Sequence, residues 1–481
     1  MRIVLDSQVR IAVNAIPLVA RGEIEYAFTY KNQNHTQLIR LKKFYAAQKE
    51  PATISTYGYD GDFMTLPRGG FRKVRNILRS HGVNDFEIDD RRVEGELREW
   101  IPDTGRSLDW FQEEAVQLAM RSQNCLVRAP TGSGKTTAAI AMISRIKRPS
   151  LVLVWTDGLK DQWKGRLRAE LGLDEDQVGI YGGGKKEEAD ILIAMDQTLA
   201  RSGVPEWMVA KYGVLICDEV QRFAARSFRE VVSKFPAKYR IGLSADETRP
   251  DELECLIYDQ FGSVSYEISQ EAVDQTGRTV PVNVVVVPTA FTCDAKESYN
   301  RTLAMVTDHE RNEVVYSLIE SVKGKQVLLF FSRIEHCKSV ERSLIMRGYR
   351  TGLTIGQAKN KVERERAIDG LTDGSIEIGV GTVESIGTGI DIPTVEVAIV
   401  ADPIGTNLRL FNQVRGRICR GSPGKTHATI YYLWDQHVYG RYVLKGIVDK
   451  YGDRVKVLVD GRLMNPDEYR IPRKPTFFDT L

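Results

Sequence analysis

At 481 residues the chain has room for about three domains of ordinary size, each able to bury its own core, which excludes a single small binding module. Apolar residues make up 42% and charged residues 27%, with glycine and proline scattered, so the composition is neither disordered nor fibrous. The formal net charge of +3 averages over strong local runs, and no apolar stretch approaches the roughly 18 residues of a membrane span.

The N-terminal stretch mixes Arg2, Asp6, Arg10, Arg21, Glu23 and Glu25 through its apolar positions, which is unlike a secretory signal. Residues 31–80 then hold ten Lys/Arg against three acids, an excess of +7, and residues 81–105 hold three bases against eight acids, or −5. Between Gly70 and Gly82, Phe71, Val74 and Leu78 recur at helical spacing, while Arg72, Arg75 and Arg79 recur on a neighbouring face. One stripe can dock while the other meets phosphates; the same pattern also suits an ordinary solvated basic face.

From about residue 106, short apolar runs at 126–127, 151–155, 191–195, 214–217 and 241–243 alternate with charged helical segments. Such runs predict a parallel sheet covered on both faces. A second series at 282–287, 327–331, 376–380, 395–400 and 428–432 predicts another. The expected domains are therefore 1–105, 106–275 and 276–436, followed by an extension, 437–481, that lacks this rhythm. Cysteines 125, 217, 255, 293, 337 and 419 lie far apart with no C-x-x-C, so we expect no zinc site, no disulfide framework and a reducing, cytoplasmic setting, the host's if the chain is viral.

Chemistry begins at 129–136, Ala-Pro-Thr-Gly-Ser-Gly-Lys-Thr, set between an apolar strand and a helical stretch. That is the context of a phosphate-cradling loop, in which glycines let successive N–H groups converge on phosphate oxygens at a helix N-terminus. Pro130, Thr131, Gly132, Ser133, Gly134, Lys135 and Thr136 are the candidate ATP-binding residues, with Lys135 on the β- and γ-phosphates and Thr136 on Mg²⁺. Ala129 stands where the consensus has glycine. Hydrolysis also needs a metal-side carboxylate and a group that orients water. Asp218 and Glu219 fill these roles at the end of the 214–217 strand, because loops at the carboxyl ends of parallel strands converge on one crevice. Farther on, 413–420 reads Gln-Val-Arg-Gly-Arg-Ile-Cys-Arg. Arg417 and Arg420 can stabilise charge on the transferring phosphoryl group, and their place on another domain makes hydrolysis depend on domain closure.

This ordered set resembles the superfamily 2 helicases and translocases over roughly residues 106–435. The resemblance implies two tandem RecA-like, doubly wound parallel-sheet domains, an α/β fold, with a smaller N-terminal α+β DNA-binding domain. Gln112 resembles the glutamine that contacts adenine, and Gly389, Asp391 and Gln413 resemble further ATP-binding positions of motifs V and VI. Thr156 and Gly158 resemble motif Ia, Gln197 and Thr198 motif Ib, Ser332 and Arg333 motif IV, and Thr382 motif V, segments that touch the nucleic-acid backbone in the family. Gln221, at the end of motif II, and Ser244, in motif III, are the implied coupling residues. Within the family the likeness is to XPB-type and phage UvsW-type DNA helicases, carried by Thr-Leu-Pro-Arg-Gly-Gly at 65–70, residues 179–186 and Asp-His-Glu-Arg-Asn at 308–312. In that group an N-terminal domain binds duplex DNA, in keeping with the +7 block.

Three positions depart from the pattern. Gln221 replaces the usual His, although an amide can still hydrogen-bond to motif III. Asp246-Glu247 replaces Thr-Pro, and Trp155 replaces a Pro, where it offers a stacking surface or fills a core, the core being favoured. The expected activity is ATP- and Mg²⁺-dependent DNA translocation that unwinds or remodels forks and junctions in recombination, repair or replication. One monomer supplies both halves of the site, and no membrane partner is expected. The rivals are a duplex translocase or annealing motor, an RNA helicase, and a DNA-binding scaffold with a degenerate ATPase. Backbone contacts carry no base information, so motion should be sequence-independent and salt-sensitive.

Overall fold

The computed structural model describes residues 1–222, 226–245, 253–295, 298–355, 361–382, 392–402 and 408–472 and forms two compact units, Met1–Ala272 and Val273–Leu481. Among the described residues no helix is long and apolar enough to cross a membrane.

The first unit opens with β1 (Arg2–Leu5), β2 (Gln8–Ala12), α1 (Leu18–Ala27), β3 (Thr29–Lys31), α2 (Gln33–Arg40), α3 (Phe44–Ala47), β4 (Thr53–Ser55), β5 (Gly58–Asp60), β6 (Phe63–Pro67), α4 (Phe71–Ser80) and β7 (Glu87–Asp90). Five strands form a sheet in the order β5-β6-β2-β1-β7, antiparallel except between β1 and β7. Strand alternation puts Val9, Ile11, Met64 and Leu66 on one face, where they meet Ala20 and Ile24 of α1 and Val74 and Leu78 of α4. β3 and β4 pair separately.

The turn between β6 and α4 locks this layer to the next. Arg68 is buried, its Nε donating to Asn124 Oδ1 at 3.1 Å and its Nη2 to the Lys238 carbonyl at 3.3 Å. An added Cβ on Gly69 would fall 2.4 Å from Gly262 N and 2.4 Å from the Tyr258 carbonyl oxygen, so the backbones meet at a distance only glycine permits. Lys73 Nζ donates to the Ala27 carbonyl at 2.8 Å and lies 3.9 Å from the buried Asp259 carboxylate. The basic block thus divides: Arg68 and Lys73 serve packing, Arg72 and Arg79 are exposed, and Arg75 is half-buried.

The larger layer of this unit contains α5 (Trp110–Ser122), β8 (Asn124–Arg128), α6 (Lys135–Ile146), β9 (Ser150–Val154), α7 (Asp157–Leu171), β10 (Val178–Gly182), β11 (Lys185–Lys186), β12 (Ile191–Met195), α8 (Asp196–Ser202), α9 (Glu206–Lys211), β13 (Val214–Cys217), α10 (Arg226–Val232), β14 (Tyr239–Ser244), α11 (Cys255–Phe261) and β15 (Val264–Glu267). Its eight strands run in the order β11-β10-β12-β9-β13-β14-β8-β15, all parallel except β11. Every residue of β9, β12 and β13 is buried. Alternate residues of one strand enter different cores: Val152 and Val154 join one cluster, Leu151 and Leu153 the other. Both faces are therefore dry, which is why these strands read as continuous rather than alternating apolar runs. Trp155 is half-buried against the second cluster, the packing role favoured from sequence.

The second unit holds β16 (Val282–Pro288), β17 (Val327–Phe331), β18 (Thr351–Leu353), β19 (Ile378–Thr382), β20 (Val397–Val400), β21 (Ala428–Trp434), β22 (Val455–Val459) and β23 (Arg462–Met464) in the order β18-β19-β17-β20-β21-β16-β22-β23. All its pairs are parallel except β22 with β23. Residues beyond His437 supply those last two strands and the helix Arg441–Tyr451, whose Val443, Leu444 and Ile447 enter the core. Under this sheet Arg311 is wholly buried, donating from Nε to Asp435 Oδ1 at 2.9 Å, from Nη2 to Asp435 Oδ2 at 3.1 Å and to the Ala401 carbonyl, and from Nη1 to Asp402 Oδ1 at 3.4 Å. The Asp308 side chain caps the helix His309–Ser321, which carries Arg311, by accepting from Arg311 N at 2.8 Å. The Asp-His-Glu-Arg-Asn run is thus a folding hub.

Candidate active site

The strand order sets β13, β14 and β8 side by side, and described residues at and just beyond their carboxyl ends make the candidate site. After β8 the chain turns through Gly132 (φ 91°) and Gly134 (φ 77°), left-handed conformations that L side chains adopt at a cost, and enters α6 at Lys135. Ala129, in place of the consensus glycine, is buried and donates its N–H to the Ser244 carbonyl at 2.8 Å, tying the loop to β14. Lys135 Nζ donates to the Ala129 carbonyl at 2.9 Å, and Pro130, Thr131 and Thr136 are half-buried around the turn. Ser133 is buried, and its Oγ lacks a hydrogen-bond partner among the described residues. A loop of this shape, with an orphaned hydroxyl and a lysine at a helix N-terminus, fits a polyphosphate.

Gln112 lies at the start of α5 with both ends of its amide engaged: Nε2 donates to the Ser133 carbonyl at 2.7 Å, and Oε1 accepts from Asp109 N at 3.0 Å. The residue expected at adenine therefore clasps the phosphate loop to the helix cap in this conformation.

Asp218 and Glu219 follow β13 directly. Asp218 is buried; its Oδ2 accepts from Trp163 Nε1 at 2.8 Å and its Oδ1 from Glu219 N at 2.9 Å. Burial and the neighbouring Glu219 carboxylate push the Asp218 carboxyl up to about 6, while the Trp163 N–H and the Lys135 charge pull the other way. Glu219 has φ 57°, a strained conformation for a residue with a side chain. Its Oε2 accepts from Gln221 Nε2, and Gln221 Oε1 accepts from Ser244 Oγ at 2.7 Å. The amide that replaces histidine bridges motifs II and III as its chemistry allows, joining Ser244, Gln221 and Glu219 in one line of hydrogen bonds.

The residues of motifs Ia, Ib, IV and V expected on nucleic acid lie at carboxyl strand ends of their own sheets, whereas Arg72, Arg75 and Arg79 lie along α4. Thr156 caps α7, its hydroxyl accepting from Leu159 N at 3.3 Å, and Gly158 lies in the same first turn. Gln197 is exposed and Thr198 half-buried in the first turn of α8. In the second unit Thr382 ends β19, and Ser332 follows β17 with its N and Oγ donating to Asp402 Oδ2 at 2.8 and 2.7 Å. Arg333 donates from Nε to Thr302 Oγ1 at 2.8 Å. On the helix Leu408–Ile418, Phe411, Val414 and Ile418 face the core, leaving Gln413 and Arg417 half-buried on the other side. Arg420 follows, with its backbone bridged to Thr279. Gly389, Asp391 and the Asp246-Glu247 pair lie outside the described residues.

Trp163 is the site residue that sequence reasoning missed. It shares an i, i+4, i+8 stripe with Leu167 and Leu171, all buried, so its spacing announces a core position. Only the fold shows its indole N–H on Asp218.

Two family descriptions match the chain: the type III restriction enzyme res subunit over residues 105–248 and the helicase conserved C-terminal domain over residues 310–422. The DNA 3'-5' translocase XPB2 of Sulfurisphaera tokodaii is 25% identical over 72% of this chain and 86% of its own length. The DNA 3'-5' helicase XPB of Kineococcus radiotolerans is 26% identical over 62% of this chain and 54% of its own, and the chain spans about half the length of several other such relatives. The structure of S. cerevisiae Dbp5 bound to RNA and ADP BeF3 superposes with a TM-score of 0.55 at 15% identity, covering 74% of this chain and 90% of that one, a likeness of fold. Both large sheets are RecA-like domains. The juxtaposition of loop, acidic pair and amide relay agrees with these likenesses, which are to superfamily 2 DNA helicases and translocases of the XPB type.

Proposed function

We propose that this chain is an ATP-driven 3'-5' DNA motor that unwinds or remodels branched DNA, acting as a monomer. The observation that carries the reading is the adjacency of the phosphate loop, the Asp218-Glu219 pair and the Ser244–Gln221–Glu219 relay on three neighbouring strand ends. Polarity is taken from the names of the XPB relatives, and branched substrates from the exposed Arg72 and Arg79 beside the motor.

In this reading Lys135 leaves the Ala129 carbonyl for the β- and γ-phosphates when ATP enters. Thr136 and Asp218 would hold Mg²⁺, which supplies charge neutralisation between phosphate oxygens. Glu219, its carboxylate held by Gln221, orients the attacking water, and Gln221 passes any shift of Glu219 to Ser244 on β14. Arg417 and Arg420 are the proposed source of positive charge for the transferring phosphoryl group. Thr156, Gly158, Gln197, Thr198, Ser332, Arg333 and Thr382 are proposed to grip backbone phosphates. The hydroxyl of Ser332 already serves Asp402, which leaves its place at the strand end as the useful feature.

The test is Lys135→Ala, which should abolish DNA-stimulated ATP hydrolysis and leave DNA binding intact; retained turnover would refute the site. ATPase and remodelling rates on single-stranded, duplex, forked and four-way DNA, with strand displacement scored separately, then distinguish a branch-acting helicase from a duplex translocase.

A further inference from the structure

Between β3 and β4 the chain makes a helical hairpin, α2 and α3, that belongs to neither sheet core. Its base is tightly closed. Asn32 Oδ1 accepts from Asn34 N at 3.1 Å while its Nδ2 donates to the Pro51 carbonyl at 2.8 Å, and His35 Nδ1 contacts the Glu50 carbonyl at 2.9 Å. The turn between the helices is set by Lys42 in the left-handed region (φ 57°), with Lys43 N donating to the Leu38 carbonyl at 2.9 Å.

The tip is the opposite of the base. Residues 39–45 are all exposed, among them Ile39, Leu41 (58%), Phe44 (58%) and Tyr45 (75%). A protein surface seldom displays several large apolar side chains within so short a stretch without a use for them. They are interleaved with Arg40, Lys42 and Lys43, and Lys49 sits 4.6 Å from the centre of the Tyr45 ring; Glu50 is the one acid in 40–50. Aromatic faces amid unopposed positive charge complement exposed bases beside phosphates, which every base can satisfy without sequence readout.

We propose that the α2–α3 hairpin binds the single-strand/duplex boundary of branched DNA, with Phe44 and Tyr45 stacking on the first unpaired bases and Arg40, Lys42, Lys43 and Lys49 on flanking phosphates. This rests on the reading that the chain acts on DNA, and it adds the element that recognises the branch point. Rigid anchoring at Asn32 and His35 keeps the ordering cost of binding low.

The experiment uses the full chain without nucleotide and a forked DNA carrying 2-aminopurine at the first unpaired position. Wild-type protein should change the fluorescence on binding. The double variant Phe44→Ser, Tyr45→Ser should lose that change and bind the fork at least about fivefold more weakly, the smallest effect of one lost stack. Its ATPase on long single strands should stay unchanged. Lys42→Gln with Lys43→Gln should flatten the salt dependence of log Kd by about two contacts. Unaltered fork affinity and fluorescence in the aromatic variant, with DNA-stimulated ATPase present, would overturn the hairpin assignment alone; a wild-type ATPase that no DNA stimulates would overturn the reading beneath it. A wild-type dimer that the aromatic variant abolishes without DNA would make the tip a self-contact and also overturn the proposal.

Discussion

Arg311→Met should destabilise the second unit by about 3–5 kcal/mol, the usual cost of removing one partner from a buried ion pair. Methionine can replace the aliphatic stem, so little of the loss is packing. The loss is polar: Asp435 gives up both guanidinium bonds, at 2.9 and 3.1 Å, and keeps the Thr289 hydroxyl at 2.6 Å in a place with no exposure. Asp402 gives up a longer contact of 3.4 Å and keeps the N–H and hydroxyl of Ser332, with His336 Nδ1 3.3 Å away. The Asp435 carboxylate therefore carries most of the penalty. At about 2–4 °C per kcal/mol for a unit of this size, its melting transition should fall by roughly 6–20 °C. Calorimetry of the intact chain is the assay, because two units need not melt as one and the transition of the first should stay in place. Adding Asp435→Asn to the variant should recover part of the loss by removing the stranded charge. A shift under about 3 °C, or no recovery in the double variant, would refute the reasoning. The pH dependence has a definite sign. Burial alone would raise Asp402, but His336, Arg311 and the Ser332 N–H hold it down at about 2. A carboxyl lowered by folding stabilises above its ordinary value near 4 and loses that contribution as pH falls toward about 2, so the second unit should weaken over that acid window.

Trp163→Phe keeps an aromatic ring but removes the indole N–H on Asp218, and the Mg²⁺ concentration for half-maximal ATP hydrolysis should rise about 10–100-fold; an unmoved Mg²⁺ titration would mean the indole only fills space. Gln221→Leu removes both bonds of the relay, and because a hydrogen bond to a charged group is worth about 1.5–3 kcal/mol, kcat should drop by roughly ten- to a hundredfold with KM for ATP nearly constant. Gly69→Ala forces a Cβ to within 2.4 Å of two backbone atoms, so urea unfolding should report a loss of about 1–3 kcal/mol, and limited proteolysis should newly cut near 91–105.

Periodicity sufficed for much of this molecule. Continuous apolar runs forecast fully buried strands, as β9, β12 and β13 are, because a strand covered on both faces leaves no position for a polar residue. The glycine-rich turn at 129–136 and the acidic pair at 218–219 could be singled out as candidates because the proposed chemistry demands particular residue types at short spacing. Spacing said less where residues act across the chain. Arg72, Lys73, Arg75 and Arg79 count equally toward a basic block, yet Lys73 packs beside a carboxylate 186 positions away, Asp259. The strands after His437 escaped notice because β22 buries only alternate residues and β23 is a three-residue edge strand, so neither makes a continuous apolar run.

By itself the order of residues determined what the parts are: two dry parallel sheets, a glycine-rich turn ahead of a helix, and carboxylates and arginines that are the candidates for phosphoryl chemistry, each set by local composition. Tertiary structure alone decided their partners: Trp163 on Asp218, Gln112 on Ser133, Gln221 between Glu219 and Ser244, and Arg311 between two aspartates. A hydrogen bond depends on which strands lie side by side, and strand order is a property of the folded sheet that no window of sequence contains.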